Sequence, residues 1–394
     1  MFFFFDIRKL DTISYGAFFM VKRKNIHTAA SFLVFACSFL TNNLFGEVQA
    51  TKTPHYNQQG ISQISESSTK ISDSELDVKT WRVSPSQPSY SISAEYLYWK
   101  TNVGDTDFVV ANVNPSFAIE GAKEQIGNVK KAKFDWQSGF RLGAQVVLPF
   151  DLIGIGATYT CFSPDGTNKY HLNGGHLIST NVEHTGLSDI NIAKSEINLS
   201  MQLADLFLSK RFIPSSHTFL TFYSGPAFAY LNQVWDFSFT PLSFETGTFN
   251  PLSQSWRFIG GGIRTGLDFE WFFGAGFSVL TQGSVGLIYG IYKNQFRNNL
   301  VQVEQGQNQP HANAKYKDNR LVDHIQLAFG PKWGMFFSNN LGLNLQLLYE
   351  LNMWFNLHEY HRSQENTGGN GRQSYYSNAP ISMQGITVKA EFNF

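Results

Sequence analysis

The amino-acid sequence predicts an all-β chain: a closed antiparallel transmembrane β-barrel of about ten strands, with eight to twelve compatible with the pattern. Three observations predict it. Apolar residues alternate with small or polar ones over stretches far longer than the five or six residues of an ordinary strand. The connections between those stretches are short and long in strict alternation. Charged residues make up only 15% of the 394 positions, against roughly a quarter in soluble domains. Lys plus Arg equals Asp plus Glu at 30 each, so the basic excess expected of a nucleic-acid binder is absent.

The first element is a targeting segment. From Met20 the chain reads MVKRKNIHTAASFLVFACSFLTNNLFGEVQA. Basic Lys22, Arg23 and Lys24 precede an apolar run from Ala29 to Leu40, and small Val48 and Ala50 flank Gln49. That is a secretory signal with cleavage expected after Ala50. The run is too short for a spanning helix, which needs about 20 residues. The residues before Met20 fit no signal n-region, so Met20 is the expected start and Met1 the alternative. Residues 1–50 are thus an extension plus signal peptide. Residues 51–89 are a polar lead-in in the periplasm, rich in Ser, Gln, Thr and Lys, with too little apolar surface to offset the entropy of ordering. Residues 90–394 are the barrel. Signal cleavage removes Cys37, so Cys161 has no disulfide partner and an apolar structural role is expected for it rather than a reactive one.

Strands are predicted near 90–100, 136–149, 151–162, 196–210, 217–234, 256–270, 272–292, 321–336, 341–360 and 380–394. The clearest is LGLNLQLLYELNMWFN at 341–356, where Leu341, Leu343, Leu345, Leu347, Tyr349 and Leu351 oppose Gly342, Asn344, Gln346, Glu350 and Asn352. The hardest is WFFGAGFSVLTQGSVGLIYGIY at 271–292, uncharged throughout and long enough for a membrane helix. Phe273, Ala275, Phe277, Val279, Val285, Leu287 and Tyr289 still alternate with glycine, serine and glutamine, which makes it a strand.

Long polar connections fall at 101–135, 163–195, 235–255, 293–320 and 361–379; short ones fall at 149–151, 212–216, around Trp271 and at 337–340. Short periplasmic turns and long extracellular loops are the pattern of a bacterial outer-membrane barrel. A soluble sandwich would also alternate, but its wet face carries Lys and Glu where this one carries glycine. Aromatic residues gather at the strand ends in what reads as two interfacial belts. Tyr96, Tyr98, Trp99, Trp136, Trp235, Trp256, Tyr289 and Tyr292 lie by the long loops; Phe150, Phe212, Trp271, Phe272, Phe273, Phe336 and Phe337 lie by the short turns.

With the apolar face on lipid, the other face directs Arg141, Gln145, Arg264, Asp268, Glu270, Lys332, Asn344, Gln346, Glu350, Asn352, Lys389 and Glu391 into the lumen as candidate pore-lining residues. Both signs are present in similar number, so no strong ion preference follows. A ten-stranded barrel is little wider than the eight-stranded ones that side chains fill, so these charges either line a pore or pair across it and close it. In the closing stretch ITVKAEFNF, Ile386, Val388, Ala390, Phe392 and Phe394 face lipid, and the strand is expected to pair with the first one.

No catalytic, metal or cofactor site is predicted. His171, His176 and His184 have no metal spacing, and HEYH at 358–361 places its histidines three apart rather than four; solvated loop histidines are expected. GDTD (104–107) and SPDGTN (163–168) read as turns, lacking the acidic ligands of a calcium loop. GGG at 260–262 belongs to a strand face.

The segments SAEYLYWK (93–100), WQSGFRLGAQVVLPFDLIGIGATYTCF (136–162) and WRFIGGGIRTGLDFEWFFGAGFSVLTQGSVGLIYG (256–290) resemble the Legionella-type major outer membrane protein family, which is also met in chlamydia-like bacteria. The resemblance covers most of residues 90–394 and implies a pore-forming outer-membrane barrel with no catalytic residues. The terminal Phe394, with Phe392, also resembles the signal by which such barrels are recognised for insertion. Expected partners are outer-membrane lipid, the barrel-assembly machinery and small polar solutes, with homo-oligomerisation as one route to a wider pore. A surface adhesin or structural barrel with a plugged lumen is the alternative function, and a barrel hydrolase a distant third.

Overall fold

The structure is a computed structural model that describes residues 88–113, 127–149, 152–171, 176–179, 190–241, 250–298, 301–302, 307–308, 312–337, 341–365 and 372–394. All lie within one compact unit, Lys70–Phe394. The expected extension, signal peptide and most of the lead-in fall outside the described residues, as do Phe150 and His184.

In chain order the strands are β1 (Ser89–Val103), β2 (Asp107–Val113), β3 (Asn128–Lys131), β4 (Trp136–Val147), β5 (Ile153–Phe162), β6 (Asp165–His171), β7 (His176–Ser179) and β8 (Ile190–Ser215). They continue as β9 (Thr218–Pro241), β10 (Asn250–Gly274), β11 (Phe277–Asn298), β12 (Val301–Gln302), β13 (Gln307–Asn308), β14 (Ala312–Phe336), β15 (Gly342–Glu365) and β16 (Arg372–Asn393). Ten of these form the wall. Antiparallel pairing passes from β1 to β16, β15, β14, β11, β10, β9, β8, β5 and β4, then back to β1. Such a ring leaves no strand edge to hydrocarbon, where each unpaired backbone group would cost several kcal/mol. The chain ends meet at the seam: Tyr90 and Phe394 exchange both backbone bonds, at 2.8 and 2.9 Å, and their rings stack at 6.0 Å. β6 carries β5's path onward along β8 after a break at Ser163–Pro164. β3, β2 and β7 form a separate three-stranded sheet from the loops on the outer side.

Two sequence expectations are corrected. The turn expected around Trp271 lies at Ala275–Gly276, inside the segment read as one strand; Trp271 itself pairs with Val279 and Thr218. Gly274, Ala275 and Gly276 take φ of 112°, 51° and 80°, conformations that favour glycine at two of the three positions. The long loops are also shorter than expected, because β8, β9, β10, β11, β14, β15 and β16 all extend into them. SPDGTN is accordingly the entry to β6 rather than a turn.

The reason those extensions escape a search for apolar faces is visible on β10. In its lower half the odd positions Trp271, Leu267, Ile263 and Ile259 are exposed and apolar, while Glu270, Asp268 and Arg264 point inward. In its upper half the even positions Phe258, Trp256 and Leu252 are buried, and odd Arg257 is exposed. The register is unbroken between the halves, so only the chemistry inverts. β1 does the same: Ile92, Tyr96 and Tyr98 are exposed outside, and from Leu97 upward the inner positions Leu97, Trp99 and Val103 are buried and apolar while Lys100 is exposed outside. Below the inversion the exterior meets lipid; above it the exterior meets water and the interior becomes a dry core.

Candidate functional site

The lower interior is a layer of ion pairs. Arg141 on β4 donates to Glu95 of adjacent β1 at 2.6 Å and reaches past β1 and β16 to Glu350 on β15 at 2.7 Å. Glu350 is wholly buried, and its carboxylate also accepts from Asn352 (2.9 Å), Thr387 (2.9 Å) and Gln326. Lys389 contacts Glu391 at 3.0 Å and Glu95 at 3.8 Å, and Asn344 donates to Glu391. Arg264 on β10 bonds Asp205 on β8 at 2.7 Å and Ser284 on β11. Lys332 on β14 bonds Glu270 on β10 at 2.9 Å, and Gln145 donates to Ser209. Asp268 lies on the same face of β10 with one buried carboxylate oxygen unpartnered.

The structure thus brings most of the candidate lumen residues together as cross-strand partners. Glu95 and Asp205 were missed by the sequence reading. Glu95 sits between exposed Ala94 and Tyr96, and Asp205 precedes exposed Leu206, so the alternation that placed the others places these two inside as well.

Above this layer β15 leaves the wall. Its ladder with β14 ends at the pair His324 and Trp354, although both strands run on and β14 stays paired to β11. Asn356, at φ 55°, marks a bulge, and its amide bonds the Leu321 carbonyl at 2.8 Å. Beyond it, Leu357, His358 and Tyr360 are fully buried. The Glu359 carbonyl accepts from Gln254 of β10 (2.7 Å) and Asn294 of β11 (3.0 Å), while its carboxylate accepts from Arg320 (2.8 Å) and Tyr316 of β14. Tyr360 packs against Trp235 of β9, four strands further round the ring, at 5.2 Å between centroids. This segment therefore crosses the lumen.

His358 is the histidine around which that crossing packs, correcting the expectation of a solvated loop. Trp256 Nε1 donates to its Nδ1 at 3.3 Å, which leaves the proton on Nε2. Burial pushes the imidazole down to about 4, with Asp105 opposing. His171 is exposed in β6, and the side chains of His176 and His361 lie outside the described residues. No metal-binding group is found among the described residues.

The aromatic belts are also revised. Tyr96, Tyr98, Trp136 and Tyr289 face outward at the outer side, whereas Trp99, Trp235, Trp256 and Tyr292 are buried within it. On the inner side Phe212, Trp271, Phe273, Phe336 and Phe337 are exposed, and Phe272 is buried. Phe392 and Phe394 point outward at the seam.

The sequence profile described as Legionella pneumophila major outer membrane protein precursor matches residues 83–394. The chain belongs to that family. Its membership, with the apolar exterior, places this barrel in the bacterial outer membrane. Solved structures similar to it include the outer membrane protease OmpT from Escherichia coli (14% identity, 80% of this chain and 99% of that one, TM-score 0.40). The translocator domain of autotransporter NalP from Neisseria meningitidis is similar at 13% identity over 78% of this chain and 89% of that one, TM-score 0.30. No curated relative matches the sequence.

Proposed function

We propose that this member of the major outer membrane protein family is a gated pore for small polar solutes, with the structure in its closed state. The carrying observation is the departure of β15 from β14 above Trp354. Beyond the bulge β15 is free of β14 but stays laddered to β16 from His358–Ala379 onward, so the two strand ends form a hairpin that a few side-chain bonds hold across the lumen and that is able to swing aside as a unit. Beneath it the interior is polar and carries both charge signs, which supports passage of hydrated solutes without strong ion selection. Planar-bilayer recording of purified protein tests the proposal. Wild-type protein is expected to stay mostly closed with brief discrete openings, and a Trp235→Ala, Tyr360→Ala variant to stay open longer.

A second reading is favoured by the cross-lumen contacts themselves. Arg141 with Glu350 and Trp235 with Tyr360 fill the interior at two heights, as suits a structural or adhesive surface barrel. A variant that folds but shows no conductance steps would select that reading.

A further inference from the structure

On the exterior, at the level where the chemistry inverts, three cations stand side by side. Register places Arg257 of β10 directly opposite Lys293 of β11, and Lys293 directly opposite Lys317 of β14. All three are exposed on the outward face, and Lys315 follows two residues on. Like charges directly opposite on adjacent strands are destabilising, with Cβ atoms about 5 Å apart. None of the three is paired with a carboxylate among the described residues. The nearest outward acids by register are Asp236, which is opposite Ser253, and Asp323, which is opposite Leu287, and neither faces the row. Elsewhere on the same exterior the charges are mixed: Lys194 of β8 pairs with Glu196 at 3.6 Å.

Immediately below the row the surface is hydrocarbon-facing, with Ile259 and Tyr289 exposed by 53% and 60%. A ligand for this place must therefore carry anionic oxygens and an apolar body that lies along the belt. Arg presents a planar fork matched to phosphate, and Lys supplies point charges. We propose that Arg257, Lys293 and Lys317 form a docking site for the phosphates of an outer-leaflet glycolipid, whose acyl chains run down over Ile259 and Tyr289. The bound phosphate relieves the repulsion within the row, and the lipid then braces β10, β11 and β14, the last being the strand that β15 leaves.

Native mass spectrometry of the folded barrel in detergent tests this with three probes: bisphosphorylated lipid A, enzymatically dephosphorylated lipid A, and inorganic phosphate. Each basic side chain near an anionic surface changes affinity about fivefold, so an Arg257→Gln, Lys293→Gln, Lys317→Gln variant should bind phosphorylated lipid about a hundredfold more weakly. A Lys100→Gln, Lys169→Gln, Lys194→Gln variant, with as many exposed cations removed from other strands, should bind as wild type does. Equal binding by the first variant overturns the site. Equal binding of dephosphorylated lipid by wild type, or displacement by inorganic phosphate at the same concentration as lipid, overturns the lipid assignment. If the first variant does not fold, the wild-type comparison of the two lipids still decides. A Lys293→Arg, Lys317→Arg variant should then retain binding.

Discussion

The lower and upper halves of this barrel use the same strands, register and alternation to build opposite objects. Below, the inside is a network of ion pairs around Arg141, Glu350, Arg264 and Glu270, and the outside is apolar. Above, the inside is a core of Trp99, Trp235, Trp256 and Trp354, and the outside carries Lys100, Arg257 and Lys293. A strand fixes which face a residue occupies, while the surrounding solvent fixes what that face must be. The height at which the chemistry changes is therefore the outer boundary of the membrane, written into the sequence of each strand.

The largest test of this contrast is to remove the charge that organises the lower half. Glu350→Ala leaves buried Arg141 with Glu95 as its one carboxylate partner beside the Thr160 hydroxyl, and strips acceptors from Asn352 and Thr387. Breaking a buried pair from one side costs about 3–5 kcal/mol. Urea unfolding of the variant in detergent should show a loss of that size, and an unchanged midpoint would mean that the lower interior is wet rather than packed.

The upper half should fail in a different way, by acid. His358 is held neutral by burial, with its value near 4 instead of its ordinary 6.5. Once the 357–360 segment opens, the ring returns toward 6.5 and binds a proton that the closed form refuses. The open form is thus the better proton binder, so the closed form loses stability as pH falls from about 6.5 to about 4, by about 3 kcal/mol in all. The charged groups nearest the ring's segment are Asp105, Glu359 and Arg320. Conductance measured across this range should rise on acidification, and His358→Gln should flatten the profile. A wild-type profile with no change between those limits would contradict the burial of this ring in a movable segment.

The exterior can be probed at two heights with one chemistry. Ile263→Lys places a cation on the lipid face and should cost about 2–4 kcal/mol, whereas Ser255→Lys, eight positions earlier on the same face, should cost little. Equal costs would erase the boundary between the halves. This inversion also explains what was legible beforehand. Alternation alone assigned Arg141, Arg264, Glu350 and Lys389 to one side, because lipid demands an unbroken apolar face opposite them. Their pairing was not legible, since Arg141 and Glu350 stand 209 residues apart and meet only when the ring closes. Trp99, Trp235, Trp256 and Tyr292 were read as interfacial anchors because an aromatic near a strand end has the same sequence signature whichever way it points. Only the polar residues beside them, Lys100 and Arg257, reveal that outside has become water. The turn at Ala275 was hidden because glycines fill both the turn and the strands that flank it.

The smallest effect concerns the joint between the halves. Asn356 holds a left-handed conformation, bonds Leu321 across the β14 gap and accepts from Asn378 of β16 at 2.9 Å. Asn356→Gly keeps the backbone conformation accessible and removes only these side-chain bonds, a loss of about 1 kcal/mol. Asn356→Ala removes the same bonds and adds the cost of a positive φ, again about 1–2 kcal/mol. If β15 is tied at this point, both variants should open more often in bilayer recordings, and alanine more than glycine. Each should lose less in urea unfolding than Glu350→Ala does, because the ion-paired lower ring is untouched. An alanine variant that opens no more often than wild type would move the joint elsewhere, to the contacts of Glu359 with Gln254, Asn294 and Arg320 that hold the far end of the crossing segment.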